Sequence, residues 1–137
     1  MLEEVHDYLK DYGFTEKEIC MIENKNDNIF FITLEEIMDR MMYFDSKEIE
    51  KNIIIGMIND NPDILNITSS EISKIDDLFI DELNFDLSEL SQLILKKPTL
   101  YNVGSEKIRK VINYLYSKGI DENDVKIVLL NNIDIII

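Results

Sequence analysis

The chain carries one histidine and one cysteine in 137 residues, His6 and Cys20. A histidine-based triad or a histidine-rich metal site cannot be assembled from it alone. A lone cysteine cannot form an internal disulfide, which agrees with a reducing compartment; the expected location is cytoplasmic. The four glycines are scattered, so there is no glycine-rich loop to cradle a phosphate. No apolar run approaches the ~18 residues of a membrane span. The opening MLEEVHDYLK has acids where a signal peptide needs bases. Basic residues are also scarce. There are 14 against 28 acids, only two of them arginine (Arg40 and Arg109), for a net charge of −14. That balance opposes phosphate binding and favours cationic partners.

What the chain does have is a 45% hydrophobic share, enough for a core, and regular punctuation. Thr15, Thr33, Asp45, Thr68, Asp86 and Asp121 each follow an apolar residue and precede another by four positions. This is the hydrophobic staple that brackets a helix N-cap. The first five also have Glu three residues later (Glu18, Glu36, Glu48, Glu71 and Glu89), completing a capping box; Asp121 has Asp124 there. Gly104 fits the frame without a capping side chain. Gly13 and Gly119 follow helical patterns as terminating glycines do, and Pro62 and Pro98 bar helix from the residue before each. The spacing predicts eight helices, at about 2–12, 15–23, 33–43, 46–58, 69–83, 87–96, 105–118 and 122–131. Strand signals are almost absent: of two ambiguous runs, IIIG at 53–56 and the terminal IDIII, the first falls inside one of these helices and reads as helical.

The chain also counts. NPDILNI (61–67) returns 36 positions later as KPTLYNV (97–103), and VHDYLKDYGF (5–14) aligns with VINYLYSKGI (111–120). Thr33 to Thr68 and Asp86 to Asp121 are both steps of 35. Asp45 alone falls several residues early. Two helices per unit, with a proline and an apolar pair (Ile64-Leu65, Leu100-Tyr101) as linker, predict an all-α fold. The expected architecture is a short α-solenoid of about three 35-residue repeats, forming one domain over 1–137.

This unit resembles the repeat of the mitochondrial transcription termination factor family, over most of residues 5–136. The resemblance implies a curved right-handed stack that binds double-stranded nucleic acid on a basic concave face. Tetratricopeptide repeats have a similar period, but their proline ends the second helix and their small-residue positions are missing here.

Charge is uneven along the chain. Residues 1–95 hold 7 bases and 23 acids; residues 96–137 hold 7 bases and 5 acids. The acidic run Glu71, Asp76, Asp77, Asp81, Glu82, Asp86 and Glu89 is the expected partner-binding face. It would dock a basic surface on another protein, for instance a nucleic-acid-handling one inhibited by a phage-type nucleic-acid mimic. The alternative is nucleic-acid binding through the basic stretch 96–118, with Lys96, Lys97, Lys107, Arg109 and Lys110. No catalytic residue, metal site or cofactor is expected. The oxygen-rich Glu23–Asn28 lacks the glycine and terminal Glu of a calcium loop and reads as a helix connection. His6 reads as a surface residue, Cys20 as a core or half-buried thiol, and Met38, Met41, Met42, Tyr43 and Phe44 as core packing. Ile133, Ile135 and Ile136 fall in the linker register. The run Ile135-Ile136-Ile137 is expected to fold back on Val128 and Leu129, the alternative being a homodimer or partner seam at the C-terminal end.

Overall fold

A computed structural model describes residues 1–136. The described chain is all-α, a helical-repeat fold of the solenoid class, with no strand among the described residues. Eight helices carry it: α1 (Glu3–Tyr12), α2 (Glu16–Lys25), α3 (Leu34–Ser46), α4 (Lys51–Asp60), α5 (Ser69–Asp77), α6 (Leu87–Lys96), then α8 (Ser105–Ser117) and α9 (Glu122–Asn131), with the four-residue α7 (Leu100–Val103) between the last two and α6. Thr15, Thr33 and Asp86 form complete capping boxes, each accepting from the third residue's backbone N–H while Glu18, Glu36 or Glu89 reaches back. Asp121 caps α9 through the Asp124 N–H. Each cap satisfies donors that the first helical turn leaves open.

The helices fall into four pairs, and backbone geometry marks the repeat more clearly than side chains do. The first helix of each pair ends at a residue with positive φ: Gly13 (136°), Glu48 (59°), Asn84 (58°) and Gly119 (81°). The caps of the second helices follow at Thr15, Glu50, Asp86 and Asp121. Each second helix closes on an extended residue: Asn26, Asn61, Lys97 and Asn132, with φ from −126° to −150° and ψ from 70° to 92°. All three series step by 35, 36 and 35. The step of 36 has a visible cause. The helix expected to run over 69–83 is α-helical only to Asp77 and then widens into a π turn, Leu78–Glu82, with Leu83 N–H donating to the Leu78 carbonyl at 3.2 Å. A π turn takes up one residue without breaking the helix.

The predicted helix start at Asp45 is corrected. α3 runs through Asp45 to Ser46, and the next helix begins at Lys51 behind Glu50, which makes no side-chain cap bond. The Asp45 carboxylate instead accepts from the Tyr12 hydroxyl at 2.8 Å, and Glu48 sits in the left-handed turn rather than in a capping box. With Glu50 as cap, the repeat has no exception.

The linkers are short helices too: 3-10 turns at Asp27–Phe31, Pro62–Asn66 and Ile133–Ile135, and α7 in the third place. The chain divides into two compact units, Met1–Ser69 and Ser70–Ile137, each with two helix pairs. In the first, Leu9, Ile37, Met41, Phe44, Ile54 and Ile58 are fully buried. Its two linkers are bonded together. The buried Asn26 amide donates to the Pro62 carbonyl at 3.0 Å and to Asn66 Oδ1, while its oxygen accepts from the Asn28 N–H. In the second unit, Phe79 and Phe85 meet edge to face at 5.3 Å between centroids within the core. Of the run expected to fold back, Ile136 is buried and Ile135 half-buried, and the last linker, which opens on the buried Ile133, contacts α9. Ile137 lies outside the described residues. The methionine cluster is split: Met41 and Phe44 are core, whereas Met42 is 60% exposed and Met38 is at the surface. Cys20 is exposed on α2, not half-buried.

Candidate functional site

The acidic stretch does not form one exposed face. Asp76 is only 4% exposed and accepts from the Tyr101 hydroxyl at 2.7 Å. Its repeat counterparts are Met41 and Ile112, both fully buried, so Asp76 occupies a core position. Its assignment to a docking face is overturned by that burial. Glu71 accepts from the Ser105 N–H at 2.7 Å, at the start of α8 where Gly104 offers no capping side chain. That backbone bond holds the Glu71 carboxyl below the ordinary carboxylate range. Asp86 is spent as the cap of α6. Glu89 completes that box and pairs with Lys126 at 2.8 Å; the lysine, then the cap, draw its pKa down. Lys126 also donates to the Asn84 carbonyl at the left-handed turn. Glu82, within the π turn, pairs with Arg109 at 2.7 Å. This leaves Asp77 and Asp81 exposed. They line a cleft of about 650 Å³ together with Lys74, Leu78, Glu82, Ser105, Glu106 and Arg109.

The basic stretch sorts in the same way. Arg109 is committed to Glu82. Lys96, though exposed, donates to the Leu130 carbonyl at 3.0 Å, and Lys97 is the half-buried residue that closes α6. Lys107 and Lys110 are exposed on α8. Their spacing continues through Tyr114 to Lys118 at steps of three, four and four, which places all four residues along one helix face. Tyr114 is 57% exposed, and the Lys118 ammonium lies 5.4 Å from its ring centroid, within cation–π range. The Ser117 hydroxyl donates to the Tyr114 carbonyl at 2.6 Å. Seventy-one residues earlier the same arrangement holds Lys47 5.3 Å from the Tyr43 ring, with Ser46 donating to the Tyr43 carbonyl. Counting charge along the sequence missed Tyr114. The helical spacing from Lys107 was the signal that could have found it.

The chain's single histidine lies at the surface of the first unit. His6 Nε2 is 2.8 Å from Glu16, which also pairs with Lys10 at 2.9 Å. The hydrogen bonds to Glu16 and then Asp7 raise the His6 pKa above 6.5. Among the described residues no group of three or more His, Cys, Asp or Glu side chains is placed to hold a metal ion. No helix among them is long and apolar enough to cross a membrane.

No curated protein matches the chain. The mTERF family model matches residues 6–136, the span over which four helix pairs with short helical linkers have just been described. A match over nearly the whole length makes the chain a member of the mTERF family.

Proposed function

We propose that this chain is a non-enzymatic helical-repeat protein that binds nucleic acid through the outer face of α8. The observation that carries the reading is the row Lys107, Lys110, Tyr114 and Lys118: three ammonium groups and an aromatic ring on one exposed helix face, none in an ion pair among the described residues. Membership of the mTERF family supports nucleic acid as the partner. The net charge of −14 works against affinity. However, ions screen charges beyond about 8 Å at physiological salt, so acids remote from α8 count for less than the local lysines. Three phosphate contacts give a salt slope of about −2 to −3 in log–log form, and binding that is weak near physiological salt and stronger below it. Fluorescence anisotropy with labelled single- and double-stranded oligonucleotides at low salt tests this. Replacing Lys107, Lys110 and Lys118 by Gln should abolish binding, whereas Arg109→Gln should affect it less. Binding that survives the triple substitution would refute the assignment.

A second reading keeps protein docking, confined to the cleft. Asp77 and Asp81 remain exposed there beside Glu106, and a basic partner surface, including one normally occupied by nucleic acid, would complement them. Asp77→Asn with Asp81→Asn should then weaken capture of a basic partner. An unchanged affinity would remove this reading.

A further inference from the structure

Two methionines lie in the open on one face of α3. Met38 is 36% exposed and Met42, four residues on, 60%. Leu34, half-buried, stands four residues before Met38. That spacing puts all three on one helix face. The fold does not call for apolar residues there. In the register that pairs Met41 with Asp76 and Ile112, the counterparts of Met38 are Glu3, Ser73 and Arg109, and those of Met42 are Asp7, Asp77 and Asn113. The other repeats are polar at both positions, so nothing in the packing of the repeat explains a methionine at either. Acids border the pair. Glu35 stands three residues from Met38, and Asp39 and Asp45 each three from Met42, the separation of side-chain neighbours on a helix. Asp39 pairs with Arg40 at 3.3 Å. The Asp45 carboxylate accepts from the neutral Tyr12 hydroxyl, and neither Asp45 nor Glu35 is in an ion pair among the described residues. The unit that carries them, Met1–Ser69, holds 16 acids against 6 bases, and the second unit 12 against 8.

We propose that the Met38–Met42 face of α3 docks a basic amphipathic helix of another protein. The apolar side of that helix lies on the methionines, whose unbranched, polarizable chains adapt to the side chains they meet. Its Lys and Arg side chains meet Glu35 and Asp45, a charge match that sets orientation and speeds encounter. The same acids weigh against the other occupants of an exposed apolar face. Nucleic acid and an anionic membrane are repelled, and a second copy of this chain brings a net charge of −14. The face belongs to the first unit, whereas the α8 row and the Asp77–Asp81 cleft belong to the second, so the inference stands apart from both readings of function above.

Fluorescence anisotropy at physiological salt tests this, with the full chain and a labelled synthetic peptide of about 18 residues, all Leu and Lys, with leucine at helical spacing. The peptide should bind with micromolar affinity. A scrambled peptide of the same composition has no apolar face and should bind at least about tenfold more weakly, the scale set by leaving one large apolar side chain in water. Met38→Gln with Met42→Gln should weaken the amphipathic peptide by the same factor, whereas Met38→Leu with Met42→Leu keeps the face apolar and should keep the affinity. Both methionines are exposed, and Gln and Leu are good helix formers, so neither pair disturbs α3. Asp77→Asn with Asp81→Asn, in the cleft of the second unit, should change nothing. A glutamine pair that binds like wild type overturns the proposal, as does a scrambled peptide that binds as well as the amphipathic one. A loss confined to the Asp77 and Asp81 variant would put the peptide in the cleft and overturn it too. So would self-association of the wild-type chain that the glutamine pair abolishes, since a second copy would then cover the face.

Discussion

Glu48 occupies the left-handed turn that Gly13 and Gly119 occupy in other repeats, with φ of 59°. An L-residue there costs roughly 1–2 kcal/mol, because its Cβ crowds the following carbonyl oxygen. Glu48→Gly removes that cost. It also loosens the unfolded chain, which takes back roughly 0.4–1 kcal/mol. The Glu48 side chain is exposed and forms no ion pair among the described residues, so little else is lost. The net expectation is stabilisation by about 0.5–1 kcal/mol, or about 2–4 °C in Tm for a chain of this size. Gly119→Ala is the reverse experiment. A Cβ there meets nothing within 4 Å, so backbone strain acts without a clash and the variant should lose about 0.5–1 kcal/mol. Gly13→Ala is a poorer control, since its Cβ would also press on Ile55 Cδ1 at 3.2 Å. Urea unfolding of the two variants checks the pair. If Glu48→Gly destabilises as an ordinary helical glycine does, Glu48 is not at the helix terminus, and the four-pair register with Glu50 as cap is wrong.

Removing the Tyr101 hydroxyl with Tyr101→Phe takes a buried donor from Asp76 and should cost about 1–3 kcal/mol in urea unfolding. Combining Asp76→Ile with Tyr101→Leu, the apolar residues other repeats use, should recover most of the loss, and failure to recover would show that the pair does more than fill the core. Asn26→Ala should cost about 1–3 kcal/mol by leaving the Pro62 carbonyl without its amide donor; a neutral result would mean the linkers are not held by that bond. His6, the single histidine, gives one resolved NMR titration, with a pKa above 6.5 that Glu16→Gln should lower toward that value. Because the folded pKa is the higher one, the stabilisation from this pair is complete below pH 6.5 and fades as pH rises through the folded pKa; a titration that Glu16→Gln leaves unchanged would contradict the geometry.

Helix starts were legible wherever a side chain does the capping. Thr15, Thr33 and Asp86 carry both bonds of the predicted boxes because Thr or Asp followed by Glu is the chemistry the open N–H groups require. The same rule misled at Asp45. Phe44-Asp45 with Glu48 and Ile49 satisfies the pattern, yet Phe44 is buried in the last turn of α3 and the carboxylate serves Tyr12, a residue 33 positions away. The true cap, Glu50, makes no side-chain bond and leaves no local mark. The π turn was equally silent, since widening a helix by one residue changes hydrogen-bond partners without demanding any residue type. What the sequence does preserve is the count: the single step of 36 among steps of 35 records that insertion, and only the backbone shows where it sits.

The candidate site was less legible, because a carboxylate in sequence has the same charge whether it faces solvent or holds the fold. Glu71 replaces the capping side chain that Gly104 cannot supply. Asp86 and Glu89 open α6, and Glu89 then ties Lys126 across to it. Asp76 fills a core position made tolerable by a tyrosine donor, and Glu82 neutralises the arginine that the basic stretch otherwise offered to a phosphate. Each of these acids has a partner between 25 and 37 residues distant or at its own helix start, so no window of local charge separates it from Asp77 and Asp81. The same pairing reduces the basic stretch from both sides: Arg109 leaves it, and Lys107 and Lys110 stay with Lys118 and Tyr114. Net charge therefore reports how this chain is held together as much as what it meets. The discriminating quantity is the charge left on a face after internal pairing, which is positive along α8 even though the chain as a whole is strongly acidic.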